Sequence, residues 1–141
     1  MKEIKYRSRV GIWIWCIGLF GLAAMIAVEI ANPRSTFIIP TTYFIMFCIF
    51  VFGCRYAIDG DTLIVYQYFC PKRYPISKIK SIEIIDKGWI TGPALSRKRV
   101  GITFTDRNIL RSALPLEISP ADRDNFIARI KSLNPSVSIK N

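Results

Sequence analysis

The chain has 141 residues, a mass of 16.1 kDa, a formal charge of +10 and no histidine. That length admits one domain of ordinary size or a small domain with an anchor. Hydrophobic residues make up 51% and the mean hydropathy is +0.29, with the apolar residues concentrated in the first third, which excludes disorder and a large soluble enzyme.

Val10 to Val28 (VGIWIWCIGLFGLAAMIAV) carries no charge, and at about 1.5 Å per residue a helix of this length spans roughly the ~30 Å hydrocarbon core. Ser35 to Cys54 is a second uncharged run, bordered by Arg34 and Arg55. Glu29 to Arg34 separates them with an Asn-Pro breaker, since proline disfavours helical geometry in the residue before it. The pattern predicts a transmembrane helical hairpin, with helices over about 10–30 and 35–54, in an anchor covering 1–55. Pro40 falls in the first turn or so of the second helix, where its missing N–H has no intrahelical acceptor to lose.

A cleavable signal peptide is the rival reading of the first run, with Lys2, Lys5, Arg7 and Arg9 as its basic region. The apolar stretch is too long for one, a second span follows at once, and a cut after Ala31 would put Glu29 where a small residue is wanted. Four basic residues precede the first helix, only Arg34 lies in the connection, and Arg55, Lys72 and Arg73 follow the second helix. This bias predicts a multi-pass bacterial inner-membrane protein with both termini cytoplasmic. Trp13 and Trp15 suit the interface; Tyr43 suits either the interface or lipid-facing bulk. Ala23 or Ala24, Ala27 and Ala31 would let the helices approach closely. The spans contain no Asp, Glu, Lys or Arg, which argues against an ion or proton pathway.

From Arg55 onward there are 15 basic and 8 acidic residues, a balance of +7 that draws the domain towards an anionic leaflet. Residues 56–141 suffice for one small core. Tyr56-Ala57-Ile58 and Leu63 to Phe69 flank Asp59-Gly60-Asp61-Thr62, a hairpin signal because glycine supplies positive φ. Lys72 to Ile76 and Ser81 to Ile85 read as short strands with a turn over Ser77 to Lys80. Val100 to Thr105 alternates strictly, and Ile109 to Leu114 and Leu116 to Ile118 complete six or seven strands. Ser119-Pro120-Ala121-Asp122 then starts a helix: serine caps, proline suits the first position and the acid complements the dipole. Phe126, Ile127, Ile130 and Leu133 form its apolar face, and Asn134-Pro135 ends it. The expected class is α+β: a small β-barrel or sandwich capped by one C-terminal helix.

Chemistry is sparse. Without histidine, Ser–His and Cys–His catalysis are excluded. Cys16 and Cys48 lie in the spans, and Cys54 and Cys70 form no C-x-x-C pair, so no zinc site or disulfide framework follows. No phosphate-binding glycine motif occurs. Asp59 and Asp61 fit turn chemistry better than a cation site, which wants six or more oxygens. The residues predict no enzyme, catalytic residue, metal or cofactor. Candidate contacts with lipid or a partner are a basic rim of Lys72, Arg73, Lys78 and Lys80, a second patch of Arg97, Lys98 and Arg99, and Trp89 in a Gly- and Pro-containing loop. Ordinary solvated surface and core packing are the competing readings of the same residues.

Tyr56, Ile58-Asp59-Gly60-Asp61-Thr62-Leu63, the spaced Ile76, Ile79 and Ile82, Ala94-Leu95-Ser96, Arg99-Val100-Gly101-Ile102, Ile118-Ser119-Pro120-Ala121-Asp122, Phe126 and Asn134-Pro135 together resemble the bacterial pleckstrin-homology (PH) families, most closely the YyaB-like PH domain. The resemblance covers most of Tyr56 to Val137 and implies a PH-like fold, often with a pair of N-terminal membrane helices. Lys98 departs from it, standing where the family suggests an acid. The implied function is a non-enzymatic, membrane-anchored interaction or scaffold module. Open alternatives are an anionic-lipid headgroup sensor and an accessory subunit of a membrane complex. Its partners would be the bilayer, anionic headgroups, another membrane protein or a second copy of itself; nucleic acid is not expected.

Overall fold

A computed structural model describes residues 3–86, 94–106, 108 and 115–140. Its strands are β1 (Ile4–Arg7), β2 (Arg55–Asp59), β3 (Thr62–Gln67), β4 (Cys70–Pro75), β5 (Ile79–Ile85), β6 (Arg99–Phe104), β7 (Leu116–Ile118) and β8 (Ser138–Lys140). Its helices are α1 (Ile12–Ala31), α2 (Ile38–Phe52) and α3 (Arg123–Leu133), with a 3-10 turn over Ile76–Lys78. One sheet has the order β1-β2-β3-β4 and the other β7-β6-β5-β8. A single buried cluster joins Tyr56, Ile58, Leu63 and Tyr74 of the first sheet to Ile82, Ile102 and Phe104 of the second and to Phe126 and Ile130 of α3.

The alternation of β1 buries Tyr6 and exposes Ile4, Lys5 and Arg7, so this strand reads as a sheet edge with one core residue. It pairs antiparallel with β2 in the register Ile4↔Ile58 to Arg7↔Arg55. Residues 4–7, read from sequence as the basic flank of a membrane helix, thus belong to the first sheet. Both apolar helices lie in the connection between two paired strands. Tyr6 packs edge-on against Phe126 at 5.2 Å between centroids and reaches Asn125 Oδ1 at 3.2 Å.

Helix α1 carries no charge before Glu29 and is long and apolar enough to cross a membrane, with a mean hydropathy of 2.2 over its best window. Helix α2 is apolar but has 15 residues, against the 20 expected from Ser35 to Cys54. At ~1.5 Å per residue it measures about 22 Å, short of a ~30 Å core. Its start is displaced because residues 32–35 are spent on a turn: the Arg34 N–H donates to Asn32 Oδ1 at 3.1 Å and the Ser35 N–H to the Asn32 carbonyl at 3.1 Å. Pro40 sits in the first turn, as its chemistry requires. The helices meet at Gly18, where an added Cβ would fall 2.2 Å from the Phe47 ring, and at Gly21, where it would fall 2.7 Å from Tyr43 Oη. Glycines, rather than the alanines expected from spacing, make the close approach.

Other boundaries shift for identifiable reasons. Tyr68 and Phe69, expected at a strand end, form the β3–β4 turn. The turn expected over Ser77 to Lys80 is a 3-10 turn from Ile76, and β5 begins at Ile79. Asp122, not Ser119, caps α3, accepting from the Asn125 N–H at 3.2 Å. Asn134 ends the helix and also fastens it, its Nδ2 donating to the carbonyls of Ile76 at 3.0 Å and Ile79 at 3.3 Å. Strand β8, absent from the sequence reading, lies parallel to β5. The strand expected over Ile109 to Leu114 lies outside the described residues.

Candidate functional site: the end of the domain that meets the helices

Strand directions define two ends. β1 runs towards α1 and β2 runs away from α2, so the Asp59–Thr62 hairpin is distal and the β3–β4 turn lies at the helix end. Around that end the chain makes a dense set of bonds. The Gly11 N–H donates to the Leu95 carbonyl at 2.7 Å, the Arg9 N–H to the Ser119 carbonyl at 2.6 Å and the Ala121 N–H to the Arg7 carbonyl at 2.8 Å. Ser119 is the hub: its Oγ accepts from the Leu95 N–H at 2.9 Å and donates to the Arg9 carbonyl at 3.2 Å, while its own N–H donates to Tyr56 Oη at 3.1 Å. Ser8 Oγ lies 3.2 Å from the same phenol. Buried Leu95 then joins Ile14 of α1 and Val51 of α2 in a second apolar cluster with Cys54. The segments Ala94-Leu95-Ser96 and Ile118 to Asp122 therefore form the cradle that holds the chain entering α1.

Burial pushes the Tyr56 phenol above its ordinary range, against the pull of its hydrogen bonds with Ser8 and Ser119. The neutral phenol is the folded form, so its contribution is complete below the ordinary pKa of about 10 and is lost as pH rises through the raised value. Tyr56→Phe is expected to cost about 1–3 kcal/mol at neutral pH by stranding the buried Ser119 N–H. It should also flatten the fall in stability above about pH 10. Urea melts of both proteins at neutral and alkaline pH check both effects.

Cations surround this end. The register sets Lys5, Ala57, Ile64 and Arg73 in one row and Arg7, Arg55, Tyr66 and Pro71 in the next, so Lys5, Arg7, Arg55 and Arg73 share the sheet face turned away from the core. All four side chains are exposed, and Lys5 lies 4.0 Å from a Glu3 carboxylate oxygen. Arg55 stands over Tyr66 at 5.5 Å and Phe69 at 5.7 Å, and Arg97 over Trp13 at 5.7 Å, both cation–π distances. Sequence reading missed the four-cation face because the two apolar helices separate its members in the chain. The legible signal was the period-2 alternation Ile4-Lys5-Tyr6-Arg7, which is a strand pattern.

The candidate residues do not form the two patches expected. Lys72 and Arg73 point to opposite faces of β4, and with Pro71 and Pro75 they guard an edge strand against pairing with another chain. Lys78 and Lys80 are exposed at the distal end, where the Ile76 N–H bonds to the Asp61 carbonyl at 2.9 Å. Arg97 and Lys98 are exposed, but Arg99 is 1% exposed and forms an ion pair with Glu117 across β6 and β7. Arg99 is therefore a core residue, because β6 turns it inward beside an acid on its neighbour. Trp89 lies outside the described residues. Exposed Asp86 is held below its usual range by a hydrogen bond from Arg123, with Lys98 adding to the effect. Among the described residues, no three His, Cys, Asp or Glu side chains gather as a metal set.

The family described as Bacterial PH domain matches residues 54–134. The chain belongs to the bacterial PH domain family. Two facing sheets with a C-terminal helix packed on their shared core fit that assignment. Within this bacterial PH chain the matched span begins at the last residues before β2, so β1 joins the domain from outside it. No curated protein and no solved structure matches the chain.

Proposed function

We propose that this bacterial PH domain, of the YyaB-like type, is a non-enzymatic binding or scaffold module fixed at the cytoplasmic face of the inner membrane by a two-helix hairpin. The pairing of β1 with β2 carries the reading. Two strands in one sheet occupy one side of a membrane, so a crossing by α1 requires a return by α2. The 15-residue length of α2 is met by local bilayer thinning and by apolar residues beyond its ends, at a cost of fractions of a kcal/mol per Å. The bias of lysine and arginine puts that side in the cytoplasm.

Lipid headgroup contact is the second reading, supported by the cations Arg7, Arg55 and Arg97 where the helices leave the domain. Lys72, Arg73 and Lys98 extend the positive surface, whereas Lys78 and Lys80 face a partner or solvent at the far end. Reporter fusions at Met1, Arg34 and Asn141 test the anchor: cytoplasmic signals at both termini and an external one at Arg34 are expected, and termini on opposite sides would overturn it. Purification of the full chain from membranes, followed by lipid analysis, separates the two readings. Retained anionic lipid that is lost in an R55Q/R97Q variant marks headgroup recognition, and equal lipid in both proteins directs the site to a protein partner.

A further inference from the structure

Tyr68 and Phe69 are 45% and 50% exposed, the largest apolar exposure in the sheets' turns among the described residues. Both have left-handed backbone, φ 52° and 65°. A two-residue hairpin turn with two positive φ values favours Asn-Gly, because a bulky side chain crowds its own carbonyl there. Two aromatic rings in that place are both strained and wasted on water. Strain kept at an exposed site points to a use for the side chains.

The surroundings identify that use. The Phe69 N–H donates to the Gly53 carbonyl at 3.1 Å, at the end of α2. A Cβ on Gly53 would stand 2.8 Å from the Tyr68 Cα, so glycine is what lets turn and helix touch. The Tyr68 ring lies 5.9 Å from Phe50 of α2, and the Arg55 guanidinium stands over Phe69. The turn thus continues the apolar surface of α2 outward to a cation, the sequence of chemistries found from acyl chain to phosphate.

We propose that the β3–β4 turn is a third point of membrane attachment, with Tyr68 and Phe69 seated in the bilayer interface and Arg55 at the level of the lipid phosphates. This rests on the membrane reading of α1 and α2. Together with the two helices it holds the domain in one tilt and keeps the Asp59–Thr62 hairpin and the Lys78 end pointing into solvent.

The test uses the full chain in vesicles of phosphatidylcholine and phosphatidylglycerol carrying bromine high on the acyl chains. Cys70, next to the turn and exposed, carries a fluorophore in a C16A/C48A/C54A/W89F background, so that tryptophan emission comes from Trp13 and Trp15. Quenching of both probes is expected, with Y68N/F69G losing most of the Cys70 quenching while tryptophan quenching stays. Quenched tryptophans with an unquenched Cys70 probe, or equal Cys70 quenching in the variant, would overturn the turn's role alone. If the tryptophans also escape quenching, the membrane reading itself fails. Because Asn-Gly suits the turn, the variant should melt no lower than its parent in detergent; a lower melting temperature would mean that the rings serve packing, and would also overturn the proposal.

Discussion

A chain lacking residues 1–9 is expected to lose its folded β domain, although the deletion lies outside the span matched to the family. Tyr6 is nearly buried and packs on Phe126, and truncating a large buried aromatic costs about 3–5 kcal/mol. The deletion also strips β2 of a ladder partner and removes the Ser8 and Arg9 contacts of Tyr56 and Ser119. Domains of this size are stable by only about 5–15 kcal/mol, so the combined loss reaches the whole margin. An isolated 55–141 fragment should lack near-UV circular dichroism and a cooperative melt. Joining residues 3–9 to residue 55 through a short Gly-Ser linker should restore both. A bare fragment that melts as the full chain does would show β1 to be dispensable.

Glu117→Ala is expected to be the most damaging single substitution of an accessible side chain. Arg99 is almost wholly buried and Glu117 is 27% exposed. Removing one partner of a buried ion pair costs about 3–5 kcal/mol, and the lower figure fits here because water reaches the acid. The double variant R99M/E117L should recover most of that loss, since a well-packed apolar pair replaces a buried ion pair at little cost. Chemical denaturation of the three proteins gives the cycle; equal losses in the single and double variants would mean that the site depends on something other than charge. Reversing all of Arg97, Lys98 and Arg99 would unfold the domain, so surface charge is properly tested at Arg97 and Lys98 alone.

Arg99 also shows where sequence reading stops. In Arg97-Lys98-Arg99 the three cations look alike, and only the entry into β6, which sets Arg99 diagonally across from Glu117, the β7 partner of Gly101, separates the buried one from its neighbours. Patterns carried by local chemistry were legible: the Asp-Gly hairpin, the core face Val100, Ile102 and Phe104 of β6 and the apolar face of α3 all occur where expected, although Arg99 and Gly101 on the other face of β6 are buried too. The cap of α3 moved by three residues because Ser119 has stronger demands on it, holding Arg9 and Leu95. Strands β1 and β8 escaped because each is short and completed by a partner far away in the chain, so neither shows a long period of its own. Ser119, Leu95 and Tyr56 were legible as family residues, but their work of gripping the segment before α1 depends on a pairing that sequence spacing does not reveal.

The central claim is that the two apolar helices emerge between two paired strands, and oxidation of the variant R7C/R55C in native membranes tests it most directly. The two residues are direct partners in the β1–β2 register, and antiparallel partners stand about 4.5–5.5 Å apart at Cα, within disulfide reach. With the native cysteines replaced and a protease site placed in the Asn32–Ser35 connection, the cut fragments should stay joined until reduced. The control R7C/D59C, displaced along β2 by about 13 Å, should separate. Fragments that separate in both variants, or remain joined in both, would contradict the paired strands and the membrane topology proposed from them.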